Sequence, residues 1–223
     1  FKGAERIGWE VIRDLGGIAR GRHEGELTRI AGSYLARHRP EALYRKLLRT
    51  PPAEDPSARL MIATAARLLL PMLTVAPERL PVLTYLILRL SLERGRIGYT
   101  GLAFVTWALT LSMRKAPGAR HRRLGEYARG IARQDNDAVA RHTVEVYTAI
   151  LITLWAREYE EALAELGELH RRGLALGNFQ LASHARHIYV QGLFYHGSPL
   201  DEVFESIGEA RKEMTSLNHD RTA

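Results

Sequence analysis

Four glutamates, Glu158, Glu160, Glu161 and Glu165, fall within the short stretch "AREYEEALAEL". Carboxylates at this density are the raw material of acid–base or metal chemistry. Such work needs a carboxylate buried or paired so that its pKa moves. Here Glu158, Glu160 and Glu161 occupy the first turn of an expected helix whose last turn carries Arg171 and Arg172, so the charges at both ends complement the helix dipole. The run reads as a hydrated helix face, and no catalytic residue is assigned.

His184 and His187 stand three apart on one expected helix, a spacing that can bring two imidazoles to one ion. A working metal site needs a third or fourth ligand with supporting partners. His196 lies three turns further on and no carboxylate sits near the pair on that helix, so neither a metal nor a cofactor is expected. A small-ligand pocket is the other use for this region: Tyr147, His184, His187, Tyr189 and Gln191 combine aromatic rings with hydrogen-bonding groups, which suits a polar ligand. The repeat register described below instead places Tyr147 and Tyr189 in the core.

The densest basic cluster lies in "MRKAPGARHRRLGEYARG", where Arg114, Lys115, Arg120, Arg122 and Arg123 crowd one expected turn. Phosphate contacts want such arginines, and base stacking wants exposed aromatics beside them. Only Tyr127 is close, so a solvated turn or a patch facing an acidic partner domain is preferred to nucleic-acid binding. No "GxxxxGK[ST]", strand-borne "GxGxxG" or "GxSxG" occurs, and "GGIARGRHEG" lacks the strand and lysine of a phosphate loop.

The elements that must position these groups are helical. The 223 residues are 46% hydrophobic and 26% charged, in the range of a folded globular chain. Cysteine is absent, which removes disulfides, thiolate metal sites and thiol nucleophiles together. The +7 charge is mostly arginine scattered beside glutamate, with lysine only at positions 2, 46, 115 and 212. The opening "FKGAERIGWE" has no initiator methionine and no signal-peptide layout, so an excised piece of a cytoplasmic protein is expected. The charge-free run 97–113 barely reaches the lower length limit for crossing a bilayer, and a buried helix explains it better than a membrane does.

Apolar residues recur at three- and four-residue steps, predicting helices over 3–15, 24–37, 40–49, 58–75, 78–94, 98–114, 120–133, 138–155, 159–176, 178–196 and 199–216. Ser57 is expected to cap the fourth, with Asp137 and Asn178 at comparable starts. Ser57, Ile97, Asp137 and Gly177 stand at steps of forty residues, and the same register aligns Tyr99, Val139 and Phe179, then Leu109, Ala149 and Tyr189. Each unit is a helix pair that cannot bury its own apolar stripe, so stacking on its neighbour would supply the missing surface. The expected fold is all-α, a right-handed superhelix (solenoid) of tetratricopeptide-like antiparallel helix pairs. Residues 1–56 would close a preceding repeat and form an irregular connector, 57–216 would hold four helix pairs, and 217–223 would be a tail.

Three stretches, "ALYRKLLRTPPAEDPSARLMIATAARLLLPML", "RLSLERGRIGYTGLAFVTWAL" and the turn "YHGSPLDEV", resemble the degenerate tetratricopeptide-like region of large bacterial signalling ATPases of the STAND type. In that family the repeats follow an ATPase module, often with a serine/threonine kinase before and a histidine kinase after, and are related to maltose-type transcription activators. The resemblance implies a non-catalytic scaffold or sensor contacting proteins or adjacent domains of the same polypeptide. Inducer binding is the alternative it carries.

Overall fold

Proline shapes the first half of the chain. Pro40, Pro56 and Pro81 each sit in the first turn of a helix, where a missing N–H has no intrahelical partner to lose. Pro71 sits inside an expected helix, and there the helix breaks: its ring would clash with the carbonyl four residues back, that of Arg67, which is the last residue before the interruption.

The computed structural model describes residues 2–14, 24–113, 118–156 and 159–219. Its helices are α1 (Lys2–Asp14), α2 (Glu24–Arg37), α3 (Pro40–Arg49), α4 (Pro56–Arg67), α5 (Leu69–Val75), α6 (Leu80–Arg94), α7 (Leu102–Ser112), α8 (Ala119–Ala132), α9 (Ala138–Thr148), α10 (Leu154–Ala156), α11 (Tyr159–Ala175), α12 (Phe179–His196) and α13 (Leu200–His219). Short 3-10 turns precede α6 and α7, and a π turn, Ala149–Thr153, joins α9 to α10. The fold is all-α, with no strand among the described residues. Residues 16–23, between the first two expected helices, and the end of the tail, 220–223, lie outside them.

Two compact units divide the chain, Phe1–Val144 and Glu145–Ala223. In the first, α6 and α7 form the centre. α6 packs against α2, α4 and α7, while α7 also meets α8. Both are buried on most sides, from Leu80 to Ser91 and from Leu102 to Ala108. A buried hydroxyl pair, Thr84 to Thr106, crosses this interface, and a second, Ser91 to Thr100, joins α6 to the 3-10 turn before α7, each at 2.8 Å. The 97–113 run is thus interior through Ala108, with Leu109–Ser112 half-buried and Met113 exposed. The stretch Pro56–Val75 is long and apolar enough to cross a membrane, and half of the qualifying window is buried in the fold.

The cap of α4 is Asp55 rather than Ser57: its carboxylate accepts the Ser57 N–H at 2.9 Å, because Pro56 takes the first helical position and moves the boundary back. Asp137 does cap α9, accepting the Ala140 N–H at 2.9 Å.

Three inter-helix connectors converge on Arg96, which is only 8% exposed. Its backbone forms the bridge to Pro52, accepting from Ala53 N at 2.8 Å and donating to Pro51 O at 3.0 Å. Its guanidinium donates to Thr50 O through Nε at 3.0 Å and to Gln134 O through Nη1 at 3.2 Å. Beside it, Gly98 N donates to Asp135 Oδ2 at 2.6 Å, and Asp135 Oδ1 accepts from Asp137 N. Gly95 makes the approach possible. Its φ is +97°, and a Cβ there would lie 2.6 Å from the Ala53 Cα.

In the second unit α11 packs on α12 and α12 on α13. Buried Ala162, Leu166 and Leu169 of α11 face this core together with Ala182 and Ala185 of α12. Helix α12 ends at Gly197 in the left-handed conformation, φ +85°, with Ser198 N donating to Leu193 O and Gly197 N to Phe194 O.

Arg96→Ala removes a charged donor from two backbone carbonyls and is expected to destabilise the first unit by about 3 kcal/mol in urea unfolding. Arg96→Lys keeps the charge without the fork and should fall between Ala and wild type.

Candidate functional site

The second unit holds a groove walled by α11, α12 and α13. It is made of two cavities of about 320 and 510 Å³ that share His170, Arg186 and Glu213. Helical spacing supplies the walls: Ser183, Arg186, His187 and Val190 from α12, Ile207, Ala210 and Arg211 from α13. Apolar Leu163 and Leu174 of α11 line the larger cavity.

Its polar groups are mostly committed to one another. His170 is buried, with Nδ1 3.0 Å from Ala182 O and Nε2 3.1 Å from Glu213 Oε2. A carbonyl can only accept, so Nδ1 carries the proton. The Glu213 contact becomes a charged pair only when Nε2 is protonated as well. Arg186 donates through Nη2 to Glu209 Oε2 at 2.7 Å and reaches Ser206 O at 3.4 Å, while its guanidinium lies over the Tyr189 ring, 5.4 Å from the centroid. Arg186 Nε and Ser206 Oγ are buried and make no hydrogen bond. The arrangement ties three helices together and offers apolar walls with balanced charge.

Two of the five expected ligand residues reach this groove. His187 lines the smaller cavity and Tyr189 the larger. Tyr147 does not. It is 9% exposed, and burial pushes its phenol pKa up from 10.0 to about 12. His184 is half-buried, its pKa lowered by desolvation and then by neighbouring His187, and Gln191 is exposed; neither lines these cavities. Tyr147 belongs to α9, and one face of α12 cannot present the other four, since Tyr189 stands well around the helix from His184, His187 and Gln191. Sequence reasoning missed His170, Arg186, Glu209 and Glu213. The Arg186–Tyr189 spacing of three was a readable signal for a cation–π pair, whereas His170 and Glu213 meet only through the packing of two hairpins.

Arg120, Arg122 and Arg123 are exposed in the first turns of α8; Arg114 and Lys115 lie outside the described residues. Tyr127 is no stacking platform for a base. Its ring stacks on Tyr44 at 4.4 Å and meets Phe104 edge-on at 5.7 Å. Among the glutamates, Glu160 and Glu161 are exposed and Glu165 is half-buried, while Glu158 is outside the described residues. Glu160 lies 3.6 Å from His196, whose ring stacks on Tyr159. Arg171 pairs with Glu168 on its own helix, and Arg172 pairs with Glu145 of α9. Among the described residues no three His, Asp or Glu side chains are placed to hold a metal ion.

Tyr147 yields a pH prediction. Its folded pKa lies above the unfolded value, so the stability it adds is whole below pH 10 and is lost as pH rises toward 12. Wild type should lose about 2–3 kcal/mol more than Tyr147→Phe over that interval, read from urea midpoints at each pH. No protein-family model, curated protein or solved structure matches this chain.

Proposed function

We propose that the chain is a non-catalytic module for protein–protein or interdomain contacts, built as a tetratricopeptide-like solenoid and working in a cytoplasmic bacterial signal-transduction protein. The observation that carries the contact role is the apolar surface of the last hairpin. Phe194, Tyr195, Leu200, Phe204 and Ile207 are all exposed within α12 and α13. Large apolar side chains grouped this way on a soluble surface mark contact sites. The paired state of the groove's charges supports the same reading, since a general base needs a reacting partner and these groups already hold each other. The signalling context rests on the resemblance of the three quoted stretches.

A small-ligand role is the second reading, favoured by the groove, whose cavities fall in the size range of ligand pockets. Thermal denaturation with nucleotides and sugars separates the two. A ligand at a hundred times its dissociation constant stabilises by about 2.7 kcal/mol, and the contact role predicts no such shift. The solenoid is checked by small-angle scattering: a superhelix should give a radius of gyration well above the ~17 Å of a compact globule of this length, and a value at that figure would overturn it.

A further inference from the structure

The two units carry opposite charge. Residues 1–144 hold twenty-five Lys and Arg against thirteen Asp and Glu, whereas residues 145–223 hold seven against twelve. An arginine-rich composition by itself would load both units alike, so the excess belongs to the surface of the first.

On α3 and α8 that excess forms one face. Both helices end at the same guanidinium, since Arg96 takes the carbonyls of Thr50 and Gln134, and the stacking of Tyr44 on Tyr127 holds them side by side. The Tyr127 phenol, its pKa raised first by burial, feels Glu41, Arg123, Arg45 and Glu126 together, so charges of both helices gather around one ring. Helix α3 exposes Arg45, Lys46 and Arg49, and α8 with its C-cap exposes Arg120, Arg122, Arg123 and Arg133. Against them stand the exposed Glu41 and Glu126, and Glu41 is taken by Arg45 at 2.6 Å. Among the described residues the other six cations hold no ion pair. Three of them lie in the first turns of α8, where the helix dipole disfavours a cation and favours an anion. The sequence shows only the arginines ahead of Tyr127 as a cluster; those of α3 join them through packing.

Such a face suits a polyanion held by charge alone. A protein partner or a lipid surface would also need apolar side chains to bury, and among the described residues Leu48, at 36%, is the single large apolar one exposed on either helix. A single strand would need free aromatic faces, and Tyr44 and Tyr127 are spent on each other. A duplex needs neither, because its phosphates meet guanidinium groups directly. We infer that the α3–α8 face binds the phosphate backbone of a double-stranded nucleic acid. This goes beyond the contact role, which rests on α12 and α13 in the other unit.

The test is fluorescence anisotropy of the whole chain with a labelled mixed-sequence DNA duplex and its RNA counterpart. The expected Kd is micromolar at low salt and rises about a hundredfold between about 50 and 200 mM, the dependence of roughly four phosphate contacts. Arg45→Gln with Arg49→Gln, and separately Arg120→Gln with Arg123→Gln, should each weaken binding about tenfold and flatten the salt slope by about two, with the circular dichroism melt unchanged. Arg29→Gln with Arg67→Gln removes the same charge from exposed positions of α2 and α4 and should move the Kd less than about twofold. No binding at low salt overturns the inference. So does an equal loss in the α2 and α4 variant, an unaltered slope in the α3 variant, or tighter binding of a single strand than of the duplex. Displacement of the duplex by poly-glutamate or by phosphatidylserine vesicles at matched charge reassigns the face and overturns it as well.

Discussion

A guanidinium cannot shed its charge to suit a dry environment, so a buried arginine is tolerated only where its donors meet acceptors in the right directions. Arg96 meets that condition with main-chain carbonyls rather than a carboxylate, and this is the constraint on which the first unit turns. Thr50 and Gln134 contribute carbonyls left unpaired at the ends of α3 and α8, positions where a helix has acceptors to spare. The residue thus satisfies two helix termini while its own backbone clamps the Pro51–Ala53 connector. Connectors at three separate points in the chain are fixed relative to one another by one side chain, and Asp135 repeats the device in miniature by accepting from Gly98 and Asp137.

Helix positions were legible because periodicity and punctuation agree: proline at starts, Asp137 at a cap, glycine at 197. Apolar spacing alone misplaced the cap beside Pro56 and ran through the break at Leu68, because both follow from the prolines' missing N–H and ring clash rather than from periodicity. Of the two tyrosines expected in the core, Tyr147 is buried and Tyr189 is half-buried against the groove. A phenol looks the same in sequence whether water reaches it or not. Arg96 gave no signal at all. In a chain rich in surface arginine, one that folds inward differs only in what the connectors around it do.

The groove of the second unit was missed for a related reason. Its members come from three helices, and each by itself looks like an ordinary exposed charge. The His170–Glu213 and Arg186–Glu209 contacts both reach from a packed helix to α13. They act on the rotation of α13 about its axis, holding Val203 and Ser206 inward. Once that rotation is fixed, Leu200 and Phe204 stay outside the core of this unit, and Ile207 borders the groove while remaining 45% exposed. The polar contacts therefore determine which apolar residues are left outside.

The same division of labour operates between α6 and α7. Both helices are apolar almost all round, and apolar surfaces are poor at choosing among rotations or axial shifts because many settings bury similar area. The hydroxyl pairs Thr84–Thr106 and Ser91–Thr100 supply the choice. Another setting would take the cross-helix partner from each hydroxyl, and a buried hydroxyl left with none, as Ser91 would be, costs about 1–3 kcal/mol. Thr84 and Thr106 also bond back to carbonyls of their own helices, so the loss on misalignment is partial rather than complete. Burial of apolar area drives these helices together, and a few directional bonds select the alignment in which they stay.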